Sequence, residues 1–126
     1  MEKRLVLIAE DDDDNFFYLR VSIKAFDFNI IRAKNGREAV QLVKDNKDVN
    51  LVLMDLKMPG MDGYEATRLI KEINPALPVV AVTAYALAGD EMKTIKAGCD
   101  AYISKPFSRE SILEVIGKYL NLVNPS

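Results

Sequence analysis

Four short stretches of the chain hold residue types that could carry chemistry: Glu10-Asp11, Asp55, Thr83-Ala84 and Lys105-Pro106. Asp55 closes the apolar run Leu51-Val52-Leu53-Met54 and is followed by Leu56-Lys57-Met58-Pro59-Gly60-Met61-Asp62-Gly63. A carboxylate that ends a fully apolar strand packs poorly and needs a partner. It is therefore a metal ligand, a nucleophile or both. Glu10 opens an unbroken run of acids that extends through Asp14. Three carboxylates drawn together repel one another unless a cation lies among them. Oxygen donors of this kind favour Mg²⁺, which keeps several waters and takes one or two carboxylates plus phosphate oxygen. A lysine and a hydroxyl aimed at the same point add phosphate chemistry. Lys105 can neutralise one phosphoryl oxygen and Thr83 can donate to another. The carboxylate between metal and lysine can then attack phosphorus and form an aspartyl phosphate.

Composition narrows the field. The 126 residues suit one domain, 1–126, with a real core. A net charge of −2 gives no electrostatic case for nucleic acid or an acidic membrane surface. Cys99 is the single cysteine, so no intrachain disulfide forms, and a reducing, cytoplasmic setting is expected. The apolar run Leu5–Ala9 is too short for a signal-peptide core or a membrane span. Histidine is absent, which excludes His-based triads, His metal ligands and a phosphohistidine on this chain. General-base work would fall to carboxylate, lysine or tyrosine.

The elements that must position these groups alternate regularly. Apolar runs at 4–9, 28–33, 51–54, 78–82 and 100–104 read as strands, the second as a weaker one suited to an edge. Between them run helical stripes. The first is Phe16, Leu19, Ile23 and Phe26, capped by Asp13 or Asp14 and ended by Asp27. An Asn35-Gly36 turn precedes Ala39, Val40 and Val43. Ala66, Leu69, Ile70 and Ile73 form the third stripe, and Met92 and Ile95 mark a weak fourth between Gly89 and Ala97, stopped by Gly98. Ser108 caps the last helix, with Ile112, Val115, Ile116, Tyr119 and Leu120 on its face, and Asn124-Pro125-Ser126 is a tail. Five strand–helix repeats imply an α/β, doubly wound five-stranded parallel sheet with helices on both faces. Ligands of such sheets bind beyond the carboxyl ends of the strands, where Glu10-Asp11, Asp55, Thr83 and Lys105 fall. The second strand, ending at Ala33-Lys34, adds no obvious reactive group.

Taken together, Leu7-Ile8-Ala9-Glu10-Asp11-Asp12, the stretch from Met54 to Gly63, Val82-Thr83-Ala84 and Ser104-Lys105-Pro106-Phe107 closely resemble the receiver domain of two-component response regulators, along essentially the whole chain. The resemblance implies a flavodoxin-like strand order of 2-1-3-4-5. It makes Asp55 the phosphoacceptor of a phosphorelay phosphoprotein. Glu10 and Asp11 become the acidic pair, with Asp11 on Mg²⁺ directly and Glu10 through water. The register of the strand favours Asp11 over Asp12 as the direct ligand. Asp55 and the main-chain carbonyl of Lys57 complete the protein's ligands. Thr83 is the implied switch hydroxyl, Lys105 the phosphate-binding lysine and Tyr102 the switch aromatic. A cis bond is expected before Pro106, and Lys57 and Tyr85 stand where the family tunes phosphoryl lifetime. The implied donor is a phosphohistidine on a histidine kinase or histidine phosphotransfer protein. The implied output is a change in the surface of the fourth helix, fifth strand and fifth helix. Catalysis would be confined to the domain's own phosphorylation and dephosphorylation. No output domain is expected after the fifth helix, so the chain reads as a single-domain regulator or as a receiver from a longer protein such as a hybrid histidine kinase.

Plainer readings stand beside these. Asp12 to Asp14 suit a solvated helix start, Thr83 alone a strand-end cap, Lys105 alone a surface charge, Tyr102 alone a core aromatic and Cys99 a small apolar residue. Two other function classes compete. An aspartyl-nucleophile phosphohydrolase is disfavoured because Lys57 stands where its second aspartate would. A binding module that is not phosphorylated is disfavoured because the acidic pair, Asp55, Thr83 and Lys105 are all intact.

Overall fold

The computed structural model describes residues 3–83 and 90–122. Ala84, Tyr85, the Gly89 start of the fourth helix and the Asn124-Pro125-Ser126 tail lie outside the described residues. Among those described, strands β1 (Leu5–Ala9), β2 (Asn29–Ala33), β3 (Val49–Met54), β4 (Val79–Thr83) and β5 (Ala101–Ser104) form one parallel sheet. The strand order is β2-β1-β3-β4-β5, which makes β2 an edge strand. The chain moves outward from β1 to β2, then crosses back to place β3 on the other side of β1. The crevice of such a sheet opens where the direction reverses, at the tips of β1 and β3.

The continuous apolar runs follow from burial on both faces. Val6 and Ile8 of β1, Leu51 and Leu53 of β3 and Val80 and Val82 of β4 pack with helices α1 (Asp13–Ser22) and α5 (Arg109–Leu120), through Leu19, Ile112, Ile116 and Leu120. Leu7, Val52, Met54, Val79 and Ala81 face the other way, onto helices α2 (Gly36–Asp45) and α3 (Gly63–Ile73), through Ala39, Val40, Val43, Ala66 and Ile70. Helix α4 (Asp90–Ala97) lies beside α3 and β5.

Several local expectations need correction. The cap of α1 is Asp12, whose Oδ1 accepts the Asn15 N–H at 2.9 Å, not Asp13 or Asp14. That helix stops at Ser22, and a short 3₁₀ turn, Lys24–Phe26, carries the stripe on to Asp27 in a left-handed conformation. Asn35 lies in the bend expected between β2 and α2, and it also caps that helix, accepting the Glu38 N–H at 2.8 Å. Ile73 is exposed, and the buried face of α3 is Gly63, Ala66, Thr67 and Ile70. Helix α4 is inverted relative to its sequence pattern: Met92 and Ile95 are about three-fifths exposed, at 59% and 61%, while Thr94 is buried. Gly98 follows it with φ +104°, as a left-handed terminator should.

Gly63 has a specific steric role. A Cβ there would run into the Asp55 carbonyl oxygen and lie 2.7 Å from the Leu56 Cα. Only glycine lets α3 begin directly under the tip of β3. Gly63→Ala is therefore expected to lower the unfolding free energy by about 2–3 kcal/mol, read as a reduced urea midpoint at unchanged slope.

Candidate functional site

Backbone ladders deliver the site. Beyond the last pairs of the sheet, the Glu10 N–H donates to the Ala33 carbonyl at 2.9 Å and the Asp55 N–H donates to the Ala9 carbonyl at 3.0 Å. The Lys105 N–H donates to the Thr83 carbonyl at 2.7 Å. Glu10, Asp55 and Lys105 are each the first residue past a strand, held by that strand's neighbour. The bond between Lys105 and Pro106 is cis, as expected.

The side chains converge. Lys105 Nζ donates to Glu10 Oε1 at 2.9 Å and lies 3.9 Å from Asp55 Oδ2. One carboxylate oxygen from each of Glu10, Asp11 and Asp55 lies within 4.8 Å of the others. Glu10 is 1% exposed and Asp55 8%, whereas Asp11 is exposed. The Lys57 N–H donates to Asp55 Oδ1 at 3.1 Å, so the loop after β3 folds back over the carboxylate. Thr83 is buried at the tip of β4. Tyr102 pairs with Ala81 in the sheet and is half-buried against the α2–α3 side of the core.

Burial pushes the Glu10 carboxyl above its ordinary range, and the neighbouring Asp55 adds to this; Lys105 offsets only part of it. Among the described residues, the three carboxylates of the cleft thus carry more negative charge than Lys105 balances. All its donors are hard oxygens, and their spacing suits one small cation, whose neighbouring ligands stand roughly 3–4 Å apart. A hard divalent ion fits this donor set. Asp12 stands apart from it, since its side chain caps α1 and its N–H donates to Glu10 Oε2 at 3.3 Å.

Arg32 was not legible as a site residue. Its Nε and Nη2 donate to the Glu10 carbonyl at 3.1 and 3.0 Å. The available signal was one charged residue near the end of the edge strand, directly across from Ile8. Cys99 lies away from the cleft, where burial pushes its thiol up to about 11, consistent with a packing role.

Residues 6–117 match the response regulator receiver domain family. The chain belongs to this family. This receiver is 40% identical over 117 residues to the polar-differentiation response regulator DivK of Brucella anthropi, covering 91% of this chain and 94% of DivK. It also superposes on the receiver domain of sensor histidine kinase PA1611 from Pseudomonas aeruginosa PAO1, with a TM-score of 0.88 and 27% identity over 95% of this chain and 99% of that one. The PA1611 crystal structure has a magnesium ion coordinated in the active-site cleft. A third relative, in the complex of Saccharomyces cerevisiae Ypd1 with the receiver domain of Ssk1, gives a TM-score of 0.84 and 29% identity over 93% of this chain and 88% of that one. The receiver fold and a place in two-component signalling are therefore established. Among the described residues no helix is long and apolar enough to cross a membrane.

Charge crowding has a measurable sign. A carboxyl whose folded pKa is raised binds its proton more tightly in the folded state. Without metal, stability is therefore expected to fall as pH rises from the unfolded carboxylate value, 4.5, through the raised Glu10 value. Asp55→Asn keeps an acceptor for the Lys57 N–H and removes one charge. Urea unfolding in EDTA at neutral pH should show this variant more stable than the parent by about 1 kcal/mol, with a shallower pH dependence. Asp12→Ala should move the other way, by about 1 kcal/mol, because it removes a helix cap.

Proposed function

We propose that Asp55 accepts a phosphoryl group from a phosphohistidine, and that Thr83 and Lys105 bind the product. The observation that carries this reading is the position of the Lys105 ammonium. It reaches the buried Glu10 carboxylate and lies 3.9 Å from Asp55, at the edge of a three-carboxylate cleft. Asp11, Asp55 and the main-chain carbonyl of Lys57 would hold Mg²⁺, with Glu10 acting through water. When bound, the ion supplies positive charge against the phosphoryl oxygens.

The chain's own residues do the rest. An Asp55 carboxylate oxygen attacks phosphorus in line, and the donor's P–N bond breaks with its electron pair going to the imidazole. Lys105 turns from Glu10 toward a phosphoryl oxygen, exchanging one anionic partner for another without moving its backbone. The Thr83 hydroxyl donates to a second phosphoryl oxygen. Water attack later releases phosphate and restores Asp55. Catalysis is confined to this cycle of self-phosphorylation and self-dephosphorylation. A histidine kinase or histidine phosphotransfer protein is the partner, a reading supported by the pairing of the related Ssk1 receiver with the phosphotransfer protein Ypd1. The loaded site acts as a switch. Thr83 is drawn toward the phosphoryl group, Tyr102 turns further inward, and the surface formed by α4, β5 and α5 changes.

Intact mass after incubation with Mg²⁺ and acetyl phosphate or phosphoramidate tests the acceptor. One phosphoryl group should appear on the parent, and none on Asp55→Ala or in EDTA. Equal labelling of Asp55→Ala, or no labelling from either donor, overturns the assignment. Thr83→Ala should still take up phosphoryl but fail to alter amide exchange along β5 and α5. A Thr83→Ala variant whose exchange changes as the parent's does would remove Thr83 from the switch.

A further inference from the structure

One guanidinium grips the backbone of the acidic pair. Besides the two hydrogen bonds from Nε and Nη2 to the Glu10 carbonyl, Arg32 pairs through Nη1 with Asp13 Oδ1 at 2.8 Å. Its Cζ lies 4.4 Å from the centroid of the Phe16 ring. Strand register brings it there: Arg32 stands opposite Ile8, on the sheet face that α1 covers, two residues short of Glu10. The side chain is only 18% exposed. All three guanidinium nitrogens are engaged and an aromatic ring lies against the group, so the planar fork has one orientation. The oxygen it holds belongs to the peptide that joins Glu10 to Asp11. The plane of that peptide sets the directions in which both carboxylates leave the chain. The Asp13 carboxylate sits directly on the guanidinium, so the pair adds no net positive charge against a cation in the cleft.

We propose that Arg32 is a positioning residue for the metal site: by fixing the Glu10–Asp11 peptide it sets the affinity of the cleft for Mg²⁺. This rests on the metal-binding reading above. It extends the site to β2, the strand whose own tip has no reactive group.

The test is calorimetric titration of the full chain with MgCl₂, with urea midpoints measured alongside, for the parent, Arg32→Lys, Arg32→Met and Phe16→Leu. Lysine keeps the charge but cannot reproduce the fork, whereas methionine removes both. Positioning predicts that both Arg32 variants bind Mg²⁺ about 10-fold more weakly. Phe16→Leu, which removes the ring and leaves the hydrogen bonds, should weaken binding about 2-fold. At saturating Mg²⁺ the rate of labelling by acetyl phosphate in Arg32→Lys should return to that of the parent, because the defect lies in binding the ion. If Arg32 acted only through its charge, Arg32→Met would tighten Mg²⁺ and Arg32→Lys would leave it unchanged. If Arg32 were merely structural, urea midpoints would fall with Mg²⁺ affinity intact. Either pattern overturns the proposal. Should neither Arg32 variant fold, an unchanged affinity in Phe16→Leu overturns it. A parent that binds no Mg²⁺ removes the metal site and this proposal together, whereas a parent that binds alongside unaffected variants removes the proposal alone.

Discussion

Like charges forced together at the sheet tip are the constraint on which the rest of this receiver depends. Glu10, Asp11 and Asp55 would separate if the backbone allowed it, and the backbone does not. Glu10 and Asp55 are each tied to a neighbouring strand by the last hydrogen bond of a ladder, and the ladder is anchored in apolar layers on both faces of the sheet. Hydrophobic burial thus stabilises an arrangement that electrostatics opposes. Lys105 relieves part of the repulsion through its contact with Glu10. Its pairing is a provisional one, because a lysine shared between two carboxylates has a short path to any new anion arriving between them.

Much of this was legible in the sequence, for identifiable physical reasons. A parallel sheet covered on both sides demands uninterrupted apolar strands, and an acid or lysine at the end of such a run marks the strand tip. Glu10 and Asp55 were placed by that logic, Thr83 and Lys105 by the ends of the later strands, and the edge position of β2 by its mixed composition. Periodicity failed where burial was not apolar. In α4 the pattern pointed to Met92 and Ile95, but Thr94 takes the inward position. In α3, Gly63 and Thr67 share the buried face, and neither carries a hydrophobic signal. The cap of α1 was misplaced because several consecutive acids satisfy the same preference, and only the turn geometry selects Asp12. Arg32 escaped notice because its link to the acidic pair runs through a main-chain oxygen, which has no letter in the sequence.

The end of the domain opposite the cleft is held quite differently. Asp100 Oδ2 accepts from Lys71 Nζ at 2.7 Å and from the Val79 N–H at 2.8 Å, while the Tyr119 hydroxyl donates to the Asp100 carbonyl at 2.7 Å. One residue thereby joins α3, the start of β4, the entry to β5 and the last turn of α5. The strands are fastened where they enter the sheet and crowded with charge where they leave it.

Helix α4 stands outside both arrangements. It turns two large apolar side chains to water and buries a hydroxyl, so its docking removes little hydrocarbon from solvent. Segments docked through little apolar surface generally open locally at a lower free energy than the whole domain unfolds. In a native-state exchange experiment its amides would therefore report local opening, while those of β1 and β3 would report global unfolding.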